Sequence, residues 1–157
     1  MKQNKKPMSR RNKPPAPYEI KEVSWQSAAR QLSQVRQQVF IMEQHVPAAL
    51  EWDGLDDDAL HLLATDGQAK PIGCARILDG GYIGRMAVLK DYRRSGVGNA
   101  LLSAAIECCH QRGWLNISLS AQVHAISFYE RAGFVVCSPE YQDAGIPHRD
   151  MKLQLNN

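Results

Sequence analysis

The chain has 157 residues, enough for one domain with a sizeable core, and its apolar and charged fractions of 44% and 22% are those of an ordinary soluble protein. No run approaches the roughly 18 apolar residues of a membrane span, and the N-terminus lacks the apolar stretch of a secretory signal, so the cytoplasm is the expected compartment and no membrane partner is expected. The net charge of +3 hides a division: residues 1–17 carry six Lys or Arg and no acid, while the rest carries 13 against 16. That first stretch, with Pro7, Pro14, Pro15 and Pro17 and almost nothing apolar, reads as a disordered basic tail before a mildly acidic single domain at 18–157. A solvated tail needs no nucleic-acid partner, and none is expected.

Residues 18–24 alternate and read as a strand, with Ile20 and Val23 apolar. Ser24 or Ser27 can cap a helix over about 28–43, whose core stripe is Leu32, Val35, Val39 and Phe40; Pro47 prevents its continuation. The next stretch carries Glu51, Asp53, Asp56, Asp57 and Asp58, five acids in eight residues. It reads either as a solvated acidic loop or as a rim that attracts a cationic substrate. Strands follow at 60–65, 70–78 and 82–88, the last two joined by the hairpin signal Asp79-Gly80-Gly81, so the three are expected to be antiparallel neighbours. A helix runs to Arg112 and ends at Gly113. A strand at 115–119, reached by a helical crossover, should lie parallel to 82–88. A short helix at 124–132, a strand at 134–137, a loop at 138–145 and a strand at 149–155 complete the chain. The expected architecture is an α/β layered domain with a mixed, mostly antiparallel sheet of about six or seven strands. Cys74, Cys108, Cys109 and Cys137 show no metal-type spacing and read as reduced cysteines, so no metal site is expected.

One stretch carries more chemistry than the rest. The strand at 82–88 leads into Arg93-Arg94-Ser95-Gly96-Val97-Gly98, and an amphipathic helix follows at once, with Val97, Leu101, Leu102, Ala105, Ile106 and Cys109 on one face. Glycines allow close backbone approach, the first N–H groups of a helix point at an anion, and two arginines add charge. This is the arrangement for holding a pyrophosphate. The glycine pair is too short for a dinucleotide fingerprint, and the antiparallel strands before it do not form a Rossmann unit.

Arg93-x-x-Gly96-x-Gly98, preceded by Arg85-Met86-Ala87-Val88, resembles the acyl-CoA pyrophosphate loop of the GNAT N-acetyltransferases. Gln122-x-x-Ala125-x-x-Phe128-Tyr129-x-x-x-Gly133-Phe134 resembles the second signature of that family, with Gln122 where an Asn is commoner. The likeness spans about residues 18–155. Arg36-Gln37-Gln38-Val39-Phe40, Glu43-Gln44-x-Val46-Pro47, Glu51-x-Asp53-x-x-Asp56 and Ala144-Gly145-Ile146-Pro147-His148-x-x-Met151 are similar to the bacterial ElaA/YjcF-like subgroup.

The resemblance implies a GNAT fold, acetyl-CoA as co-substrate and a small-molecule or peptide amine as acceptor; homodimers are frequent in such folds. It places the pantetheine arm along the backbone of Met86, Ala87 and Val88, and the pyrophosphate on Arg93, Arg94, Ser95, Gly96, Val97, Gly98 and Asn99. Gln122 and Ser127 are further cofactor-binding candidates. Tyr129 is the expected acid to the leaving thiolate. Glu43 is the leading candidate base, ahead of His148 and His61. Glu51, Asp53, Asp56 and His148 are the candidate acceptor-binding residues. Two other readings stand beside this one. Arg36-x-x-Val39-Phe40 with the acidic loop also resembles the N-terminal part of acyl-homoserine-lactone synthases; the Arg-x-x-Gly-x-Gly loop argues against these, because they are expected to take an acyl-carrier protein. A non-catalytic acyl-CoA-binding sensor is the third, disfavoured by the intact Tyr129 and glycines.

Overall fold

The computed structural model describes residues 17–157, so the expected basic tail lies, Pro17 apart, outside the described residues. The elements run β1 Tyr18–Val23, α1 Trp25–Arg36, α2 Ala48–Glu51, β2 Leu60–Asp66, β3 Pro71–Leu78, β4 Tyr82–Val88, α3 Val97–Gln111, β5 Asn116–Gln122, α4 Ile126–Glu130, β6 Val135–Val136, β7 Tyr141–Asp143 and β8 Ile146–Gln154. Eight strands form one mixed sheet in the order β1-β2-β3-β4-β5-β8-β6, with β7 on the starting residues of β8. Among the described strands only β4 and β5 pair in parallel, joined by the crossover through α3.

Two elements differ from the sequence reading. The segment expected as a loop at 138–145 contains β7, which pairs Tyr141 with His148 and Asp143 with Ile146 across the turn Ala144-Gly145. Both turn residues have positive φ, 53° and 75°, the combination that closes a two-residue hairpin and brings β8 forward to Ile146. The helix expected over 28–43 begins earlier, with Ser24 Oγ accepting from Ser27 N at 3.2 Å, and ends as α at Arg36. It continues as a π-helical turn, Gln37–Glu43. The wider turn keeps Val39 and Phe40 buried and delivers Glu43 and Gln44 to the open end of the sheet.

The sheet is covered unequally. On one face α3 packs Val97, Leu101, Leu102 and Ala105 against Leu62, Ala64, Ala75, Ile77, Ile83, Leu119 and Ala121. On the other face α1 lies over β2, β3 and β4, where Leu32, Val35 and Val39 meet Leu63, Cys74 and Ala87. That helix does not reach β5 or β8. Side chains alternate along a strand, so where Ile117, Leu119 and Ala121 face α3, Ser118, Ser120 and Gln122 face the other way. The register places His148 opposite Gln122 and Asp150 opposite Ser120 on this same uncovered face, with Tyr141 beside His148. One end of the sheet therefore presents a polar floor beside α1.

The cysteines are all unpaired. Cys74, Cys108 and Cys109 are buried, and Cys137, placed in a strand by its sequence, is exposed just past β6.

Candidate active site

The site begins with an irregularity in β4. Cys74 pairs with Ala87 and Arg76 with Gly84, so three steps on β4 match two on β3 and one extra residue is accommodated near Arg85. Arg85 takes a φ of +47°. The bulge turns the strand. Its parallel pairing with β5 covers only Tyr82 with Ser118 and Ile83 with Leu119. Beyond those pairs the two strands splay, and the β5-facing edge of β4 from Gly84 to Val88 has no strand partner. A cavity of about 830 Å³ opens there, walled by both strands, the π-helical turn, the 93–99 loop, α4 and the β7–β8 hairpin.

At one end of the cavity is the N-terminus of α3. Gly96, at φ +90°, is the capping residue and no side chain caps the helix. The first intrahelical bond is Ala100 N to Gly96 O at 3.0 Å, so the N–H groups of Val97, Gly98 and Asn99 have no partner among the described residues. Arg94, at φ +61°, and Arg131 line the cavity and have no ion-pair partner among the described residues. Arg93 is differently placed: Nη1 and Nη2 donate to the two oxygens of Glu43, each at 2.8 Å, and Nε donates to Val88 O at 2.9 Å.

Tyr129 stands between the phosphate-type loop and the polar floor. Its ring meets Phe128 and Phe134 edge-on, at 5.1 and 6.0 Å. Its hydroxyl reaches only Met86 Sδ, at 3.8 Å, a weak acceptor on the unpaired edge of β4. Burial pushes its ionisation up to about 12, so the hydroxyl keeps its proton throughout the neutral range.

Glu43 was the leading candidate base, and the structure engages it elsewhere. The hydrogen bonds from Arg93 hold its carboxyl below the usual range and leave it a weak proton acceptor. Gln44 and Gln122 form a reciprocal amide pair, Gln122 Nε2 donating to Gln44 Oε1 at 2.8 Å and Gln44 Nε2 to Gln122 Oε1 at 3.3 Å. Residues 43 and 44 thus tie the π-helical turn to both walls of the splay.

The acidic loop divides: Asp57 and Asp58 are exposed, while Glu51, Asp53 and Asp56 are taken up by arginines. Arg36, sandwiched between the Trp25 and Trp52 rings at 5.6 and 5.0 Å, donates to Glu51 Oε1 at 2.9 Å and to Asp56 Oδ1 at 2.6 Å. Arg76 holds Asp53 through two bonds of 2.8 Å and Asp56 through one of 3.2 Å. Arg85 meets Asp53 Oδ2 at 3.1 Å and Glu51 O at 3.0 Å. Glu51 and Asp56 are 2% and 6% exposed. Burial raises the Asp53 carboxyl, but the Arg76 hydrogen bonds outweigh it and hold the group at about 2. Three acids meet three arginines and the network is neutral, so it supplies no field for a cationic acceptor. His61 belongs to the same cluster: its Nε2 donates to Asp56 O at 2.9 Å, and burial lowers its ionisation.

Of the residues expected at the site, Glu43, Glu51, Met86, Ala87, Val88, Arg93, Arg94, Gly96, Gly98, Asn99, Gln122, Tyr129 and His148 line the one cavity. Ser95 does not, its hydroxyl donating to Tyr92 O, and Val97 is a core residue of α3. Ser127 is exposed on α4. Asp53 and Asp56 lie in the arginine network. Sequence reasoning missed Tyr82, Ser120, Tyr141 and Asp143 on the floor. It also missed the network arginines as partners of the acids, although Arg36 interrupts the apolar stripe of α1 and Arg76 an apolar strand. A charge in such a position must find an opposite one.

The profile of the acetyltransferase (GNAT) domain matches residues 26–155. An uncharacterized N-acetyltransferase of Bacillus subtilis, YjcF, is 40% identical over 121 residues, 74% of this chain and 86% of that protein. The crystal structure of Escherichia coli ElaA superposes with a TM-score of 0.78 at 30% identity, covering 87% of this chain and 99% of the other. A CoA-dependent acyl-homoserine lactone synthase, BjaI, superposes with a TM-score of 0.71 at 17% identity, covering 89% and 84%, which shows a shared fold alone. Its use of CoA corrects one expectation: donor type does not separate that class of synthase from acyl-CoA acetyltransferases. The family profile and the YjcF likeness make the separation instead. Fold, cavity and sequence agree that this chain is an acyltransferase belonging to the GNAT acetyltransferase family.

Proposed function

We propose that the chain moves the acetyl group of acetyl-CoA to a primary amine of a small molecule or peptide. The observation that carries this is one continuous cavity joining an unpaired β4 edge, an uncapped helix N-terminus and the half-buried Tyr129. The residues fit the co-substrate. The free edge of β4 can bond an amide-bearing arm as an added strand would. The N–H groups of Val97 to Asn99 and the side chains of Arg94 and Arg131 suit phosphates, with each charge-assisted bond worth about 1.5–3 kcal/mol. A methyl group at Gly98 would stand 3.6 Å from the Phe128 ring, an ordinary contact. The fold would accept alanine there, so the glycine serves close approach by a ligand.

The thioester supplies an activated acyl group and a thiolate leaving group. Tyr129 holds its proton at neutral pH and has no strong acceptor in the protein, so its hydroxyl is free to donate to sulfur as negative charge develops there.

A panel of primary amines, assayed by free thiol released from acetyl-CoA, tests the reading. The expected result is release that depends on the amine for at least one acceptor. Binding of acetyl-CoA without amine-dependent release across the panel would instead support an acyl-CoA-binding module.

A further inference from the structure

Amide formation must dispose of a proton from the attacking amine. Few groups on the cavity wall can take it. Glu43 is engaged by Arg93, and Glu51 is buried beneath Arg36 and Arg85. His124 is exposed, and no hydrogen bond to a described residue orients its ring. Asp143 is exposed at the hairpin.

His148 is set up differently. It lies in β8 opposite Gln122, lines the cavity and is 9% exposed. Its ring stacks on Tyr141 from β7, with centroids 6.1 Å apart and planes inclined by 20°. Its Nδ1 lies 2.7 Å from the carbonyl oxygen of Ile146. A carbonyl only accepts, so Nδ1 carries the hydrogen and the neutral ring keeps its lone pair on Nε2. That nitrogen has no partner among the described residues, and it is not one of the shut-in polar atoms. Tyr141 is held in turn: its hydroxyl donates to Asp150 Oδ1 at 2.5 Å and accepts from Ser120 Oγ. The result is an oriented imidazole, fixed in one tautomer, with an unused acceptor on a residue that lines the cavity.

We propose that His148 Nε2 accepts the proton of the acceptor amine, on the polar floor of β5, β7 and β8. The inference rests on the acetyltransferase reading above. The amine lone pair forms the N–C bond as the C–S bond breaks, and the pair of that bond leaves on sulfur. One N–H proton passes to His148 Nε2 and one proton passes from Tyr129 to sulfur. His148 then releases its proton to water and Tyr129 regains one. Tyr141 from β7 stacks on the imidazole and is bonded to Asp150 from β8, while Tyr82 from β4 and Asp143 from β7 are further titratable groups of the same cavity.

The test uses the full chain with spermidine, tyramine and a lysine-containing peptide as acceptors. His148→Asn keeps a donor where Nδ1 stands and removes Nε2; His148→Gln is the second variant. For each acceptor that turns over, kcat/KM for the amine should fall on the order of 10²-fold. Calorimetric affinity for acetyl-CoA and the melting temperature should stay as in the wild type. Amine and imidazole must both be unprotonated, so the acid-side fall of log kcat/KM should follow two protons in the wild type and one in the variants. Equal turnover, an unchanged two-proton limb, or loss of acetyl-CoA binding in both variants would overturn the assignment. A wild type inactive with all three acceptors would overturn the acetyltransferase reading and the assignment with it, whereas an active wild type beside equally active variants overturns the assignment alone.

Discussion

Tyr129 and Glu43 show how burial and partners sort residues that look alike in a sequence. Both were candidates for proton transfer. Tyr129 has a hydroxyl with only a thioether sulfur near it, and burial holds its proton on. Glu43 has two bonds to an arginine, which stabilise the anion and weaken it as a base. The Glu43–Arg93 pair is part-exposed and links two walls of the cavity, a positioning task with little net stability in it. At this scale the prediction is that Tyr129→Phe lowers turnover on the order of 10²-fold while the calorimetric affinity for acetyl-CoA changes less than twofold. The ring packing against Phe128 and Phe134 is kept, so the fold should not respond. Unchanged turnover would remove Tyr129 from proton transfer.

Among the elements, α1 with its π-helical turn and α2 act as a frame for the site rather than as its wall alone. Arg36 is buried between two tryptophans and supplies the shortest ion pairs of Glu51 and Asp56, which keep Arg85 and Arg76 as their other partners. Removing the cation while leaving both acids should cost about 3–5 kcal/mol, the penalty of uncompensated buried charge rather than the net value of the pairs. Arg36→Met, of similar length and apolar, isolates that effect, and chemical denaturation measures it. A loss below about 1 kcal/mol would mean that water reaches the acids and the network is not closed. The composition of 51–58 could not reveal this. Five acids in a loop read as solvated because the partners of three of them, Arg36, Arg76 and Arg85, lie on α1, β3 and β4, brought together by the strand register and by the packing of α1 on the sheet.

For the whole molecule, what could be read from the sequence follows from how local each signal is. The strand–loop–helix at 82–112 was legible because alternation, glycine placement and helical period all lie within about 30 neighbouring residues. Hairpin β3–β4 announced itself through Asp79-Gly80-Gly81, and the crossover from β4 to β5 fixed their parallel sense. The splay of β4 from β5 was not legible, since it depends on a bulge at Arg85, a non-glycine residue at positive φ that no propensity flags. Nor was the uncovered polar floor, which exists because α1 stops short of β5 and because the Ala144-Gly145 turn folds β7 back on β8. The strand–loop–helix wall of the cavity was thus readable from motifs. The polar floor arises from long-range register, which single residues do not report.

On the proposed function, this cavity holds acetyl-CoA through the α3 N-terminus and the β4 edge. Titration calorimetry of the wild type and Gly96→Asp with acetyl-CoA tests it most directly. Gly96 holds φ +90° and caps α3, so aspartate there strains the backbone and sets a carboxylate against the phosphate position. Binding at one site per chain in the wild type, lost in a Gly96→Asp variant whose circular dichroism shows it folded, is the predicted result; no heat of binding near millimolar acetyl-CoA in the wild type, or equal affinity in a folded variant, would contradict it.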